Sequence, residues 1–484
     1  MRDDRLEFYD PLYETIVFER GLPPAGWVSE YPLDPRDIVQ TAEFARLAFL
    51  NQVGLAWLVF PSATHTRFAH SIGCWWLGRI AESLIKVGPR DTGTSLHRWL
   101  EMRGLREEFY LALLLHDVGH GPLSHVLERN ETFVEVLRGA GVANWQHEHR
   151  GAELLLGAGP IADAWREIAR ERYGSRPTFF ELRSELSQVK GLNIHAVCFL
   201  MTGNEAFLGG CGDKDRTDLE LVKELVSGLL DLDRLDHYAR DSYFSGLRQV
   251  SINVRGFLTN IRVEPDPDGT LIYLSRDGVA AAASLLFNKR QILSTMFRHP
   301  KTVSLHAMAN ASLGAFLQGI AAPASRLEAA LRIVWMEDHQ FLETMARSDN
   351  PLAQGLIRRI RSLDPYAFVG RWVRSDLSAD LRPADIQQFL ARTNRAGAEQ
   401  VIVHYDDDFW LRGRAADPKD WLDSSRLIAE DTRQAVTEHP EHKEEFAFLR
   451  EAARRRCVWF FCAAPDDAEP IRADLIRFFG ARPV

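Results

Sequence analysis

Leu111-Ala-Leu-Leu-Leu-His116-Asp117-Val-Gly-His120-Gly-Pro-Leu-Ser-His125 constrains the fold more than any other stretch of the chain. An apolar helical run ends in an adjacent His-Asp pair, and two more histidines follow within nine residues. Buried side by side without a cation, imidazole and carboxylate cost desolvation energy and return little. With one, they form a mixed ligand set suited to Zn²⁺, Mn²⁺ or Fe. Three further segments carry the same residue types: His65-Thr-Arg67-Phe-Ala-His70-Ser71, His147-Glu148, and Asp231-Leu-Asp233-Arg234-Leu-Asp236-His237-Tyr238-Ala-Arg240-Asp241. The ligand candidates His70, His116, Asp117 and Asp233 are therefore scattered over much of the first half of the chain. A small zinc clip has its ligand pairs two to four residues apart, so this spacing excludes one. The ligands have to converge from different helices of a folded bundle.

A chain of 484 residues exceeds one ordinary core, which implies two domains or one large domain with an appendage. Its 46% hydrophobic and 26% charged residues describe a soluble globular protein. The net charge of −9 argues against a broadly nucleic-acid-binding surface, so an anionic substrate would need metal and a few focused arginines. Cys74, Cys198, Cys211, Cys457 and Cys462 show no C-x-x-C spacing and read as reduced thiols. No apolar signal segment or run of membrane-spanning length appears, so a cytoplasmic protein with no membrane partner is expected.

Helical periodicity predicts one helix over 37–53, a second over 65–86 with His70 about one turn in, and a third over 105–117. Gly119 and Gly121-Pro122 end the third and open a fourth, so His120 and His125 fall beyond a turn and can share a cavity with His116 and Asp117. Asp231 to Tyr243 reads as one helix, with Asp233 and His237 four residues apart on one face and Asp241 a turn further. Alternating apolar residues around Asp268-Gly269 predict a β-hairpin at about 260–275. Helix returns from Ala280 to Gln291 and again, after Pro300, to Met308. A boundary near Pro323 separates residues 1–323 from a mixed region, 324–484, with strand-like runs at 400–405 and Cys457–Cys462. The expected fold is mainly α: a helical bundle with a small β-hairpin and a C-terminal α+β appendage.

His-x-Arg-Phe-x-His-Ser followed by His-Asp-x-Gly-His-Gly-Pro-x-Ser-His resembles the HD-domain phosphohydrolases, most closely the deoxynucleoside triphosphate triphosphohydrolases. The resemblance covers roughly residues 8 to 303 and includes Asp10-Pro11-Leu-Tyr, Thr41-Ala-Glu-Phe44-Ala-Arg46-Leu47 and Asn51-Gln52-Val53-Gly54. It implies an HD-domain core and a divalent metal (Mn, Mg, Fe or Zn) held by His70, His116, Asp117 and Asp233. It also implies hydrolysis of a nucleotide substrate, and homo-oligomers with nucleotide activator sites. His120, His125 and His147 are candidate acid–base groups, because imidazole titrates near neutral pH; residues matching His125 and His147 have such roles in similar enzymes, and the one matching His120 lies near the phosphate. Arg67, three residues before His70, can hold phosphate through its guanidinium fork. Gln52 and Val53 match positions lining a sugar pocket, Asp241 matches a nucleoside contact, and Arg234 replaces a phosphate-binding lysine.

Two departures concern the substrate. His237 stands where the deoxynucleotide enzymes typically carry a tyrosine packed on the sugar. Met296-Phe297-Arg298-His299-Pro300-Lys301 replaces their Tyr-x-His-Lys/Arg cluster, leaving Arg298 and Lys301 for the outer phosphates. The leading expectation is hydrolysis of dNTPs to deoxynucleoside and inorganic triphosphate. Beside it stand an HD-type phosphodiesterase, nucleotidase or single-strand nuclease with single-stranded nucleic acid as partner, and a non-catalytic nucleotide-binding scaffold. Other polar residues are expected to do structural work: His65, His195, His299 and His306 as satisfied histidines, His149 as a solvated neighbour of His147, and Asp231 and Asp236 as capping or surface carboxylates. Trp75 and Trp76 read as core aromatics, and Asp406-Asp-Asp408 as a solvated charge run.

Overall fold

The computed structural model describes residues 5–19, then 35–373 except 143, 175, 187–191, 229–230, 248–251 and 267–268, and then 377, 385–386, 388–389, 401–405, 426–454 and 457–484. Helices dominate, with small sheets set among them. The chain opens on an antiparallel hairpin of β1 (Arg5–Asp10) and β2 (Glu14–Glu19) that the sequence pattern does not announce. Phe18 stacks on Trp75 with ring centroids 4.3 Å apart, which seats the hairpin on the helix carrying His70.

The helix expected over 37–53 is broken into Pro35–Val39, Ala42–Arg46 and the 3-10 turn Leu47–Phe49. Thr41 is the cause of the first break, because its side chain accepts the Phe44 N–H and starts a new helix. Beyond Phe49, Arg67 N–H binds Leu50 O and Gln52 N–H binds His65 O, drawing residues 50–52 alongside the start of the His70 helix. Periodicity of apolar residues cannot register that competition for backbone groups.

The other early helices lie close to their expected ranges: Arg67–Leu84, capped by Thr66, and Arg106–Leu115. They pack on each other, Ile194–Thr202 packs on the second, and Leu232–Ser245 crosses the first. Phe109, Leu113, Leu114 and Leu115 are buried, each side chain stabilising the fold by roughly 1.5–3 kcal/mol relative to exposure. The expected fourth helix directly after Gly121-Pro122 is replaced by a left-handed turn at Leu123 (φ +55°) and Ser124 (φ +63°) and a short 3-10 segment.

Besides β1 and β2, the strands among the described residues are β3 (Lys86–Val87), β4 (Thr94–Ser95), β5 (Ile261–Asp266), β6 (Gly269–Leu274), β7 (Ala367–Val373), β8 (Val401–Tyr405), β9 (Leu427–Ala429) and β10 (Cys457–Cys462). β5 and β6 form the expected hairpin, inside a sheet ordered β4-β3-β5-β6-β9. Beyond Pro323, the helices Pro323–Val334, Asp338–Ala346 and Pro351–Arg361 bury Val334, Trp335, Phe341 and Leu356 in the same continuous apolar core as the first half. The β7-β10-β8 sheet and the helix Ala468–Phe479 enclose a second, smaller core around Val369, Trp372, Phe460 and Leu475. Among the described residues no helix is long and apolar enough to cross a membrane. Asp406 to Asp408 lie outside the described residues.

Candidate active site

His70 lies on the first turn of its helix and is fully buried. Its Nδ1 bonds Asp236 Oδ2 at 2.7 Å, while Nε2 lies 2.8 Å from Asp233 Oδ1 and 3.2 Å from His116 Nε2. His116 Nδ1 in turn bonds Leu113 O at 2.8 Å. These partners assign the ring protons of both histidines to Nδ1. The two Nε2 atoms then face each other beside a carboxylate, an arrangement that a shared proton or a bound cation can hold together. Asp117 completes the ring at 3.6 Å from His116 Nε2 and 3.9 Å from His70 Nε2. The residues therefore fit a divalent ion.

The electrostatics favour positive charge at this point, as a proton or as a divalent ion in its place. Burial, the largest influence on His116, works against its charge, yet Asp117 and Asp233 outweigh it and lift the imidazole to about 9. Burial likewise opposes ionisation of Asp117, but Arg67, His116 and His70 hold it far below the ordinary carboxylate range. Arg67 contributes through a 2.7 Å bond to Asp117 Oδ2, and its other nitrogen donates to Ser124 Oγ at 2.6 Å. Cys74 also approaches the group, with Sγ 3.7 Å from His70 Nε2. Burial pushes its thiol so far up that it serves as packing behind His70.

On the other side of Asp117, three imidazoles gather. His120 Nε2 lies 3.3 Å from Asp117 Oδ1, the His120 and His147 rings stack at 3.7 Å, and the His125 centroid is 5.1 Å from His120. Glu128 joins two of them, with Oε1 3.0 Å from His147 Nδ1 and Oε2 3.0 Å from His125 Nδ1. Burial, with Arg67 and His147 adding to it, holds His120 neutral. His147 moves the opposite way: burial opposes its charge, but Glu148 and Glu128 prevail. His125 is the accessible member, its side chain 44% exposed.

Beside this cluster several of the expected binding residues come together. The Gln52 amide nitrogen donates to His237 Nδ1 at 3.1 Å, His237 Nε2 lies 3.1 Å from Asp241 Oδ2, and His65 bonds Asp241 Oδ1 at 2.7 Å. Val53 is buried with Met296 and Phe297, and Phe297 stacks on His237 at 6.1 Å. Arg234 pairs with Asp231, the N-cap of its own helix. Lys301 is exposed at the start of the helix Pro300–Gly319, beyond Arg298 and the capping His299.

No family model matches the chain. It is similar to deoxynucleoside triphosphate triphosphohydrolase SAMHD1 of Bos taurus, 26% identical over 72% of this chain and 58% of that protein. The SAMHD1 homolog of Dictyostelium discoideum is 24% identical over 77% of this chain and 59% of that protein. These similarities agree with a resemblance to the HD-domain phosphohydrolases. An uncharacterized protein of Methanocaldococcus jannaschii is 27% identical over 54% of this chain and 42% of its own. The chain spans about half the length of the curated relatives it matches. Among solved structures, a phosphohydrolase of Bacteroides thetaiotaomicron shares its fold with a TM-score of 0.58, at 19% identity over 95% of this chain and 99% of that one. A hypothetical protein of Aquifex aeolicus does so with a TM-score of 0.59, at 18% identity over 97% and 100%.

Three residues of this site escape sequence reasoning. Asp236, expected as a cap or surface group, is fully buried and orients His70; Arg240 holds it from below and reaches Asp10 Oδ2 at 2.6 Å. Its i+3 spacing from Asp233 was the available signal, masked by a run of similar carboxylates. Glu128 follows His125 by three residues, a helix-like spacing that could have suggested the pair. Ser124 has no signal beyond its place in the motif. His149, expected to be solvated, is half-buried and bonded by Asn144 and Asn204. A remote group, His439, Glu441 and His442, also clusters. There Arg276 holds Glu441, and both ring nitrogens of His439 are engaged by Asp431 and the Glu441 N–H.

Proposed function

We propose that the protein is a metal-dependent triphosphohydrolase that opens dNTPs at the α-phosphate, giving a deoxynucleoside and inorganic triphosphate. The observation that carries this reading is the convergence of two facing imidazole nitrogens and two carboxylates beside a second, carboxylate-linked histidine group. His70, His116, Asp117 and Asp233 would hold the ion, which when bound acidifies water and neutralises phosphate oxygens. Arg67 stands next to them, its Nε buried without a hydrogen-bond partner among the described residues, and would hold the phosphate. Water attacks the α-phosphorus, the bond to the 5′ oxygen breaks, and that oxygen takes a proton. His125 is the donor in this reading, because it is accessible and Glu128 orients its ring. His147, which shares Glu128, supplies the replacement proton, while neutral His120 lies against Asp117 on the water side. Gln52, Val53, His237 and Asp241 form the nucleoside pocket.

A second reading, hydrolysis of another phosphoester such as a monophosphate, a cyclic nucleotide or single-stranded DNA, is favoured by Arg234, which is turned to Asp231. One product assay separates the two. Wild type and the double variant His116→Ala, Asp117→Ala are incubated with Mn²⁺ or Mg²⁺ and the four dNTPs, singly and mixed, with ribonucleotides alongside. Release of inorganic triphosphate by wild type, reduced at least a thousandfold in the variant, is the expected result. Release of phosphate from other esters alone would replace this reading with the second, and no turnover of any ester would leave a nucleotide-binding scaffold.

A further inference from the structure

Asp338 lies after Pro323, on a helix that carries none of the residues placed in the site so far, and is 7% exposed. Its carboxylate takes two backbone N–H groups from segments far apart in the chain. Oδ1 accepts from Leu123 at 2.7 Å and Oδ2 accepts from Asn51 at 2.8 Å. Burial pushes the carboxyl group up even so, with the two N–H bonds working against the shift.

Both tethered segments lead into the site. Asn51 precedes Gln52, whose amide bonds His237. Leu123 opens the left-handed turn that continues through Ser124, which bonds Arg67, to His125, which bonds Glu128. Two successive non-glycine residues in the left-handed region are costly and persist only where surroundings hold them. The direct link between the segments, Ser124 Oγ to Gln52 O, is long at 3.4 Å. Asp338 therefore fixes the spacing between the pocket side, at Gln52, and the leaving-group side, at His125.

We infer that Asp338 is a positioning residue for catalysis, an inference that rests on the role proposed above for His125. Asp338→Asn preserves size but turns an NH₂ group toward one of the two N–H donors, so one tether is lost. The test compares wild type and variant on a nucleotide, whose alkoxide must be protonated as it leaves, and on bis(p-nitrophenyl) phosphate, whose phenolate leaves without help. Bound metal is quantified in both proteins. Asp338→Asn is expected to lose nucleotide turnover by at least tenfold more than turnover of bis(p-nitrophenyl) phosphate, at unchanged metal content. Equal losses on both esters, or no loss, would overturn the inference. If wild type hydrolyses other alkyl phosphoesters but releases no triphosphate, the substrate reading fails, and the same comparison with those esters judges Asp338. Hydrogen exchange on wild type serves should the variant not fold. The Asn51 and Leu123 amides are expected to exchange at least a hundredfold slower than unstructured amides, and loop-like rates would equally overturn the inference.

Discussion

His306 accepts the Leu55 N–H on its Nε2 at 2.9 Å, a bond that a protonated ring could not accept. Burial, with Arg129 and His125 adding to it, lowers this imidazole from 6.5 to about 3. The unfolded chain binds the proton first as pH falls, so the stabilisation is complete above about pH 6.5 and is lost on acidification toward pH 3, reaching about 2 kcal/mol by pH 5. His306→Gln can still accept the bond but cannot titrate. Its melting temperature should fall less between pH 7 and pH 5 than that of wild type, and parallel curves would refute the assignment. At this scale the sequence brings out residues whose chemistry is local to a motif: His70 and His116 each lie within 4 Å of both Asp117 and Asp233. It fails for Asp236, because nothing in a run of similar carboxylates tells which one turns inward, and for Asp10, whose partner Arg240 is 230 residues away.

Elements meet at this site through backbone, and glycine permits it at two places. At Gly119 an added Cβ would lie 2.1 Å from His147 O and 2.4 Å from Gly151 N, both main-chain atoms that cannot yield. Gly54 has φ +56° and would press a Cβ onto His306 Nε2 at 2.6 Å. Gly119→Ala should push the helix His147–Leu156 away from the His-Asp turn, costing about 1–3 kcal/mol and at least tenfold in activity. Gly139→Ala, whose Cβ meets nothing within 4 Å, is the control and should leave both unchanged or slightly improved, as denaturant midpoints and initial rates would show. Long helices with a clean apolar stripe are legible in the sequence, as Arg67–Leu84 within the expected 65–86 shows. The region 37–53 is not, because Thr41 and the Leu50–Arg67 bond decide it through hydrogen bonds that periodicity omits.

At the scale of the molecule, the helices beyond Pro323 share the main core. Trp335 is fully buried, with its ring 5.0 Å from Trp165 and the Arg46 guanidinium 5.1 Å above it. Arg46 is itself buried and donates to Met336 O, Val118 O and His120 O. A chain ending at residue 323 would leave that guanidinium without one acceptor and Trp165 against solvent. It should elute as aggregate, bind a hydrophobic dye and lack the near-ultraviolet dichroism of the full chain; a monomeric, dichroic fragment would show that residues 1–323 fold alone. In the C-terminal third the strand-like runs at 400–405 and 457–462 are legible and form β8 and β10, whereas β7 and the pairing of the sheet are not, because the register is settled by partners dozens of residues away.

The line from Asp10 through Arg240 and Asp236 to His70 also has a meaning in time. As the chain leaves the ribosome, His70, His116 and Asp117 emerge well before Asp236, and the hairpin bearing Asp10 waits longest for its partner. A half-made chain thus displays three of its four ligand candidates with the His70 ring still free to turn. Loop closure across such distances is slow relative to local helix formation, so the ring is fixed only near the end of folding. A metal site of the proposed kind would therefore be complete only in the finished molecule.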